Sequence, residues 1–334
     1  MKYRNLGKTN LKVSEIGFGG IPIQRVSFSV AKSIIHQLFE KGINFWDTAR
    51  AYSDSEEKIG EALSDLPREQ IILATKSRAR EITKLKEEID LSLKKLQTEY
   101  IDLYQLHNVS NFKELDSVFS NNTIEALKKA QQEGKIRYIG ISSHNSEIAI
   151  EALNRENFDT VQFPFNPLEV EAAAELLPLA QKMGVGTIIM KPLCGGALEN
   201  KELALRYLLD YQISTIIPGI QSEEELTQNL KAANRAPLTE EEKFKLDEEV
   251  KELGNQFCRR CEYCRPCPAG ISITFCLLML GYYKRYGLHE WAYERYHSQD
   301  TKASACQDCG ECEDKCPYNL PVREMLNECR EIFE

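Results

Sequence analysis

Eight of the eleven cysteines stand in two short runs, Cys258-Arg-Arg-Cys261-Glu-Tyr-Cys264-Arg-Pro-Cys267-Pro268 and Cys306-Gln-Asp-Cys309-Gly-Glu-Cys312-Glu-Asp-Lys-Cys316-Pro317. Two residues between cysteines let successive thiolates turn in around one inorganic cluster, and the proline after the fourth ends the ligating loop. The second run has the C-x2-C-x2-C-x3-C-P spacing of bacterial [4Fe–4S] ligands; the first is one residue shorter before its last cysteine. Disulfides would need an oxidising compartment, and Met1-Lys-Tyr-Arg-Asn-Leu-Gly has no apolar segment of the kind that directs export. Zinc, the remaining alternative, favours two C-x2-C pairs set further apart. If the fourth cysteine of each run serves the other cluster, Cys258, Cys261, Cys264 and Cys316 hold one, and Cys306, Cys309, Cys312 and Cys267 the other. The expectation is two [4Fe–4S] clusters. Cys194, Cys276 and Cys329 read as buried or incidental thiols.

A second set of residues suits proton transfer. Asp47, Tyr52, Lys76 and His107 each follow or end a short β-rich run. Singly they have ordinary explanations: a helix cap, a packed ring, a solvated amine, a loop histidine. Together they make a site. A lysine beside a tyrosine favours the phenolate, and an aspartate holds the lysine charged and in place. Such a phenol can protonate a carbonyl oxygen as hydride reaches the carbon, with His107 orienting the oxygen or sharing the relay.

The elements that must carry these groups alternate along the first 250 residues. Strands are expected at 16–20, 44–48, 72–76, 100–107, 136–142, 160–166, 186–192 and 214–219, with amphipathic helices between them, as in Ala31-Ile34-Ile35-Leu38-Phe39 and Ile89-Leu93-Leu96. Eight strand–helix units predict an α/β chain folded as a (β/α)8 TIM barrel with its chemistry at the C-terminal ends of the strands. A doubly wound sheet is disfavoured, because Gly17, Gly19 and Gly20 lie inside the first strand end with no helix pattern after them. Thr239 with Glu242 three residues on predicts a helix cap, in a helix running to about Leu253. The barrel is expected over 1–253. Residues 254–334 are expected to form a small α-helical iron–sulfur domain, with two helices between the cysteine runs.

Asp47-Thr-Ala-Arg-Ala-Tyr52, Ile59-Gly60-Glu-Ala-Leu63, Thr75-Lys76, Leu106-His107, Gly140-Ile-Ser142, Gln162 with Asn166, and Pro218-Gly219 together resemble the aldo-keto reductases over roughly residues 1–235. The tail resembles the ferredoxin-like domain of an iron–sulfur branch of that family. The resemblance implies Tyr52 as general acid/base, tuned by Lys76 and Asp47, with His107 placing the carbonyl. It also implies a nicotinamide dinucleotide near Gly20, Ile21, Ser142, Gln162, Met190, Leu193, Gly195, Gly196, Gly219, Glu225, Gln228 and Asn229.

Three departures stand out. Met190 replaces a ring-stacking tyrosine, and Ser143 an asparagine. Gly219 and Glu225 replace a lysine and an arginine that relatives use for the 2′-phosphate of NADP. NAD is therefore favoured over NADP, with Lys191 and Arg235 the cations left that could serve a phosphate. The net charge of −9 argues against nucleic acid and anionic membranes as partners. The longest apolar run, 275–280, is far too short to span a bilayer. The expected partner is a small carbonyl compound in a cytoplasmic setting. A flavin, a redox protein or a substrate radical would be needed to couple a two-electron hydride to one-electron clusters. The rival reading is a nucleotide-binding redox sensor on the same scaffold, which the intact tetrad disfavours.

Overall fold

The computed structural model describes residues 1–233, 236–254, 256–260 and 262–334, with the side chain of Tyr286 also outside the description. Its strands are β1 (Tyr3–Asn5), β2 (Lys12–Ser14), β3 (Phe18–Gly19), β4 (Phe45–Asp47), β5 (Ile72–Ser77), β6 (Ile101–Leu106), β7 (Ile136–Ser142), β8 (Thr160–Pro164), β9 (Gly186–Met190) and β10 (Thr215–Ile216). The helices are α1 (Phe28–Glu40), α2 (Ser55–Leu63), α3 (Ile82–Lys95), α4 (Phe112–Ser120), α5 (Thr123–Gln132), α6 (Ser146–Arg155), α7 (Leu176–Lys182), α8 (Lys201–Leu209), α9 (Glu223–Leu230), α10 (Glu240–Gly254), α11 (Ile273–Tyr286), α12 (His289–His297), α13 (Glu311–Asp314) and α14 (Val322–Phe333).

Strands β3 to β10 form one parallel sheet in chain order, and the bridges Ile16–Ile216 and Gly19–Gly219 join its first strand to its last. This is the eight-stranded barrel expected from the strand–helix alternation. Side chains alternate across it with period two. Ile72 and Ala74 point into the barrel with Phe45, Leu103, Ile188 and Ile217, while Leu73 joins the outer core between sheet and helices. The same parity that buries Ile72 and Ala74 carries Lys76 to the inner side at the strand's C-terminal end. Polar inward residues therefore collect at one end of the barrel and apolar ones at the other.

The apolar end is closed by the β1–β2 hairpin, in which Tyr3 pairs with Ser14 and Asn5 with Lys12. Leu6 and Val13 from this hairpin are fully buried in the inner cluster. Its turn needs Gly7, at φ +56°, because a Cβ there would meet the Gly186 backbone nitrogen at 2.2 Å. Outside the same end, Asp102 draws three donors inward: Arg68 Nη2 at 2.7 Å, Arg137 Nη1 at 2.9 Å and the Leu73 amide at 3.0 Å. The capping box expected at Thr239 is present, with Glu242 N–H donating to Thr239 Oγ1 and Thr239 N–H to Glu242 Oε2.

The chain divides into two compact units, one of Met1–Cys194 with Asn200–Lys243 and the other of Gly195–Glu199 with Phe244–Glu334. The second unit is helical among its described residues, and α11 and α12 occupy the segment between the cysteine runs as expected. Its core packs Cys276, Leu277, Leu280, Ala292, Tyr296, Leu326, Cys329 and Phe333. Cys194, Cys276 and Cys329 are all fully buried, as the reading of incidental thiols requires. No described helix is long and apolar enough to cross a membrane.

Candidate active site

Asp47 is the last residue of β4, Lys76 the fifth of β5, and His107 follows β6, so three adjacent parallel strands present them side by side. Lys76 and Asp47 are 1% and 2% exposed and form a direct ion pair. Lys76 Nζ also donates to the Thr48 carbonyl at 2.8 Å. Burial pushes the Asp47 carboxyl up and the Lys76 ammonium down, while each charge resists the other's shift. Tyr52 sits in the turn between β4 and α2, where its N–H donates to Ala49 O and its carbonyl accepts from Ser55 N–H. Its half-buried ring lies with the centroid 5.2 Å from Lys76 Nζ and meets the His107 ring edge-on at 5.9 Å. His107 is held well below the usual imidazole range, first by burial and then by the charges of Lys76, Arg78 and Arg80. It is therefore a neutral ring, and its Nδ1 has no hydrogen-bond partner among the described residues.

The structure adds Gln105, which the sequence reading passed over. One residue pair across the ladder from Lys76, its Nε2 donates to Gln162 Oε1 at 2.8 Å and lies 3.4 Å from Asp47 Oδ1. The signal was available in parity: Leu103, Gln105 and His107 share a face, and a glutamine in an inward position at the polar end belongs with the tetrad. Glu56 of α2, part of the family signature in the sequence, was given no role there. It is 1% exposed and pairs with Arg50, and its Oε1 accepts from Thr75 Oγ1 and Ser92 Oγ, both at 2.8 Å.

The residues implied for a nicotinamide cofactor divide in two. Ser142, Gln162 and Met190 lie at or near the ends of β7, β8 and β9, on the polar end of the barrel. Ser142 Oγ donates to the Leu106 carbonyl at 3.2 Å and accepts the Asn108 amide at 2.9 Å. Gly20 donates its N–H to the Asp47 carbonyl at 2.7 Å, and Ile21 precedes the 3-10 turn Pro22–Arg25. Leu193 packs partly buried against the outer core. Gly195 and Gly196, at φ +64° and +78°, belong to the second compact unit.

On α9, Ser222 Oγ accepts the Glu225 amide at 3.1 Å and the Glu225 carboxylate accepts the Gln221 amide at 2.8 Å. Glu225 thus closes the helix start. The Gln228 amide is tied to Glu224, at 3.2 Å, whereas the Asn229 amide nitrogen is buried without a partner among the described residues. An orphaned buried donor of that kind fits a ligand that supplies the acceptor. A Cβ at Gly219 would stand 2.6 Å from Pro22 Cγ. Arg235 lies outside the described residues.

In the second unit, Cys264, Cys267, Cys306, Cys309 and Cys312 line one small cavity, walled also by Pro268, Ile273 and Leu326. Cys264 and Cys267 of the first run thus stand with three cysteines of the second. Cys258 and Cys316 are half-buried against the same unit's core, and Cys261 lies outside the described residues. Among the described residues no group of three His, Cys, Asp or Glu side chains could hold a single metal ion. Cysteines ringing a cavity suit a cluster, whose irons occupy the space between the thiolates.

Residues 15–203 match the model of the Aldo/keto reductase family. The chain belongs to the aldo-keto reductase family. Residues 257–321 match a 4Fe-4S dicluster domain, a span that includes all eight cysteines of the two runs. This aldo-keto reductase is 30% identical over 306 residues to the uncharacterized oxidoreductase YqkF of Bacillus subtilis, covering 75% of this chain and 97% of that one. It is 31% identical over 300 residues to L-galactose dehydrogenase of Arabidopsis thaliana, covering 75% and 92%. Among solved structures it resembles the holo form of aldo-keto reductase AKR11C1 from Bacillus halodurans, with a TM-score of 0.65 and 32% identity over 75% of this chain and 96% of that one.

The buried pair sets a test. Lys76→Met leaves the Asp47 carboxylate buried against little more than the Gln105 amide, and removing one partner of a buried pair costs roughly 3–5 kcal/mol. Thermal unfolding should show the loss, and the double variant Asp47→Leu/Lys76→Met should recover most of it. Equal destabilisation in single and double variants would show that the pair does not govern the site's stability.

Proposed function

We propose that the barrel reduces a carbonyl compound with a nicotinamide cofactor, or oxidises the corresponding alcohol, using Tyr52 as the proton donor and acceptor. The observation that carries this reading is the buried Lys76–Asp47 pair beside the Tyr52 ring, with a neutral His107 edge-on to the same ring. The reduced nicotinamide, when bound, supplies a hydride. The chain's own residues then do the rest. His107, neutral and with an unpartnered nitrogen, can hold the substrate oxygen without competing for its proton. Tyr52 delivers the proton to that oxygen, and the Lys76 charge stabilises the phenolate left behind. Asp47 keeps Lys76 in place, and Gln105 bridges Asp47 to Gln162, one of the residues implied to meet the nicotinamide carboxamide. Tyr52→Phe should abolish turnover of aldehydes and ketones while leaving nucleotide binding nearly intact, read by NADH oxidation and by fluorescence titration. Undiminished turnover would transfer the chemistry to another group.

The same reading favours NAD over NADP. Relatives' cationic positions are Gly219 and Glu225 here, and a lost charge-assisted bond of roughly 1.5–3 kcal/mol corresponds to about tenfold or more in affinity. NADH should bind more tightly than NADPH, and Glu225→Arg should narrow the gap while weakening the start of α9 by about 1 kcal/mol through loss of the carboxylate that accepts the Gln221 amide. Tighter NADPH in the unaltered protein would sink this assignment.

For the cysteines we assign two [4Fe–4S] clusters with crosswise ligation, Cys267 serving the Cys306–Cys312 set and Cys316 the Cys258–Cys264 set. The cavity that Cys267 shares with Cys306, Cys309 and Cys312 supports the first grouping, and Cys264 lines it too. A bound cluster exchanges single electrons, so carbonyl reduction at Tyr52 does not itself require one. The half-buried ligands that pack on the second unit's core favour a part in holding that fold. Anaerobic protein should contain about eight irons per chain. Crosswise ligation makes Cys267→Ser with Cys306→Ser lose about four irons and Cys267→Ser with Cys258→Ser lose nearly all; the reverse pattern would mean that each run serves its own cluster.

A further inference from the structure

The arc of the barrel that carries Tyr52, Lys76 and His107 also carries three arginines. Arg50 stands three residues past Asp47, and Arg78 and Arg80 two and four residues past Lys76. Two of them are committed. Arg50 pairs with the buried carboxylate of Glu56, and its N–H donates to the Lys76 carbonyl at 3.0 Å. Arg80 Nη1 donates to the carbonyls of Ser77 and Ala79 at 3.3 and 3.2 Å, and Nη2 to that of His107 at 2.8 Å, tying the β5 and β6 ends together. Arg78 is exposed, and no carboxylate or carbonyl among the described residues engages its guanidinium.

Two cations of this arc stand outside its ion pairs. Lys76 offsets Asp47 and Arg50 offsets Glu56, which leaves Arg78 and Arg80 without an ion-paired carboxylate among the described residues, on a chain of net charge −9. The acids nearby are Glu88, whose carboxylate accepts from Ser77 Oγ, Glu114, whose charge acts on Arg80 while its Oε2 accepts the Ser110 amide at 2.9 Å, and Glu81, exposed at the start of α3. These cations act on His107, since Lys76, Arg78 and Arg80 all add to burial in disfavouring its protonated form. The cofactor's phosphates do not account for Arg78, because the residues implied to hold the dinucleotide stand mainly on β7 to β10 and the segments after them.

We infer that this arc selects a carbonyl substrate bearing an anionic group, an oxo acid, with Arg78 pairing with its carboxylate while the carbonyl lies against Tyr52 and His107. The inference rests on the proposed role of Tyr52. The reaction adds one hydride from the reduced nicotinamide to the carbonyl carbon and one proton from Tyr52 to its oxygen, giving a hydroxy acid with the carboxylate unchanged. Guanidinium forks fit carboxylates and phosphates alike, so the test must separate them.

Turnover by the full-length protein with NADH is compared for 4-oxobutanoate against 4-oxobutanamide, and for glyceraldehyde 3-phosphate against glyceraldehyde. The carboxylate should be preferred over its neutral partner by roughly tenfold, the lower end for a charge-assisted bond. Arg78→Ala should remove that preference chiefly through KM, Arg78→Lys should restore part of it, and Arg78→Glu should reverse it. Succinate, which cannot be reduced, should bind by calorimetry to the unaltered protein about tenfold more tightly than to Arg78→Ala. A preference untouched by Arg78→Ala, or equal succinate binding by both proteins, overturns the inference. A larger preference for the phosphate pair reassigns the anion and overturns the oxo acid. Absence of carbonyl turnover by the unaltered protein, with succinate binding still dependent on Arg78, would refute the proposed reduction at Tyr52 and leave the anion site standing.

Discussion

The Lys76–Asp47 pair is the interaction on which the polar end of the barrel depends. Two opposite charges lie almost wholly out of water, and burial opposes both. Such a pair persists only where the backbone leaves neither partner an escape to solvent. The parallel ladder supplies that constraint: Asp47 ends β4, Lys76 lies near the end of β5, and Gln105 sits opposite Lys76 on β6. Thr48 and Gln105 take up remaining hydrogen-bonding capacity. Tyr52 and His107 then have a fixed positive centre to face, which no arrangement of mobile surface lysines would provide.

The rest of the first unit can be understood as what holds that centre still. The inner apolar layer and the β1–β2 hairpin close the far end of the barrel. Outside the sheet, Glu56 gathers Arg50, Thr75 and Ser92 and so links β5 to α2 and α3 immediately behind Lys76. Charge at the polar end is thus arranged in nested pairs, with the inner one dry and the outer one partly wet. Arg78, beyond both, is the cation that remains available to a ligand.

Most of the barrel was legible in the residues because its strands are short β-rich runs separated by helices patterned at three and four, and each expected strand coincides with an observed one. The tetrad was legible for the same reason, since each member ends or follows a strand. The β1–β2 hairpin was not, because Tyr3–Asn5 and Lys12–Ser14 are too short and too polar to show a periodic signal. Gln105 and Glu56 escaped because their importance lies in partners far along the chain: Asp47 and Gln162 are 58 and 57 residues from Gln105, and Ser92 is 36 from Glu56. The cysteine spacing pointed to clusters and to the grouping of Cys267 with the second run, and Cys267 lines the same cavity as Cys306, Cys309 and Cys312.

Gly219 carries a consequence for how such a chain can change. Its missing side chain leaves room for the ring of Pro22, which lies 197 positions earlier and packs where a Cβ would otherwise be. Any substitution at 219 meets that ring first, so the order of events along an evolutionary path is constrained: Pro22 must give way before 219 can acquire a side chain. The loss of proline would in turn loosen the turn that follows Gly20, whose amide is anchored to the Asp47 carbonyl. Two loops remote in sequence are thereby locked into a single unit of inheritance, and neither drifts alone.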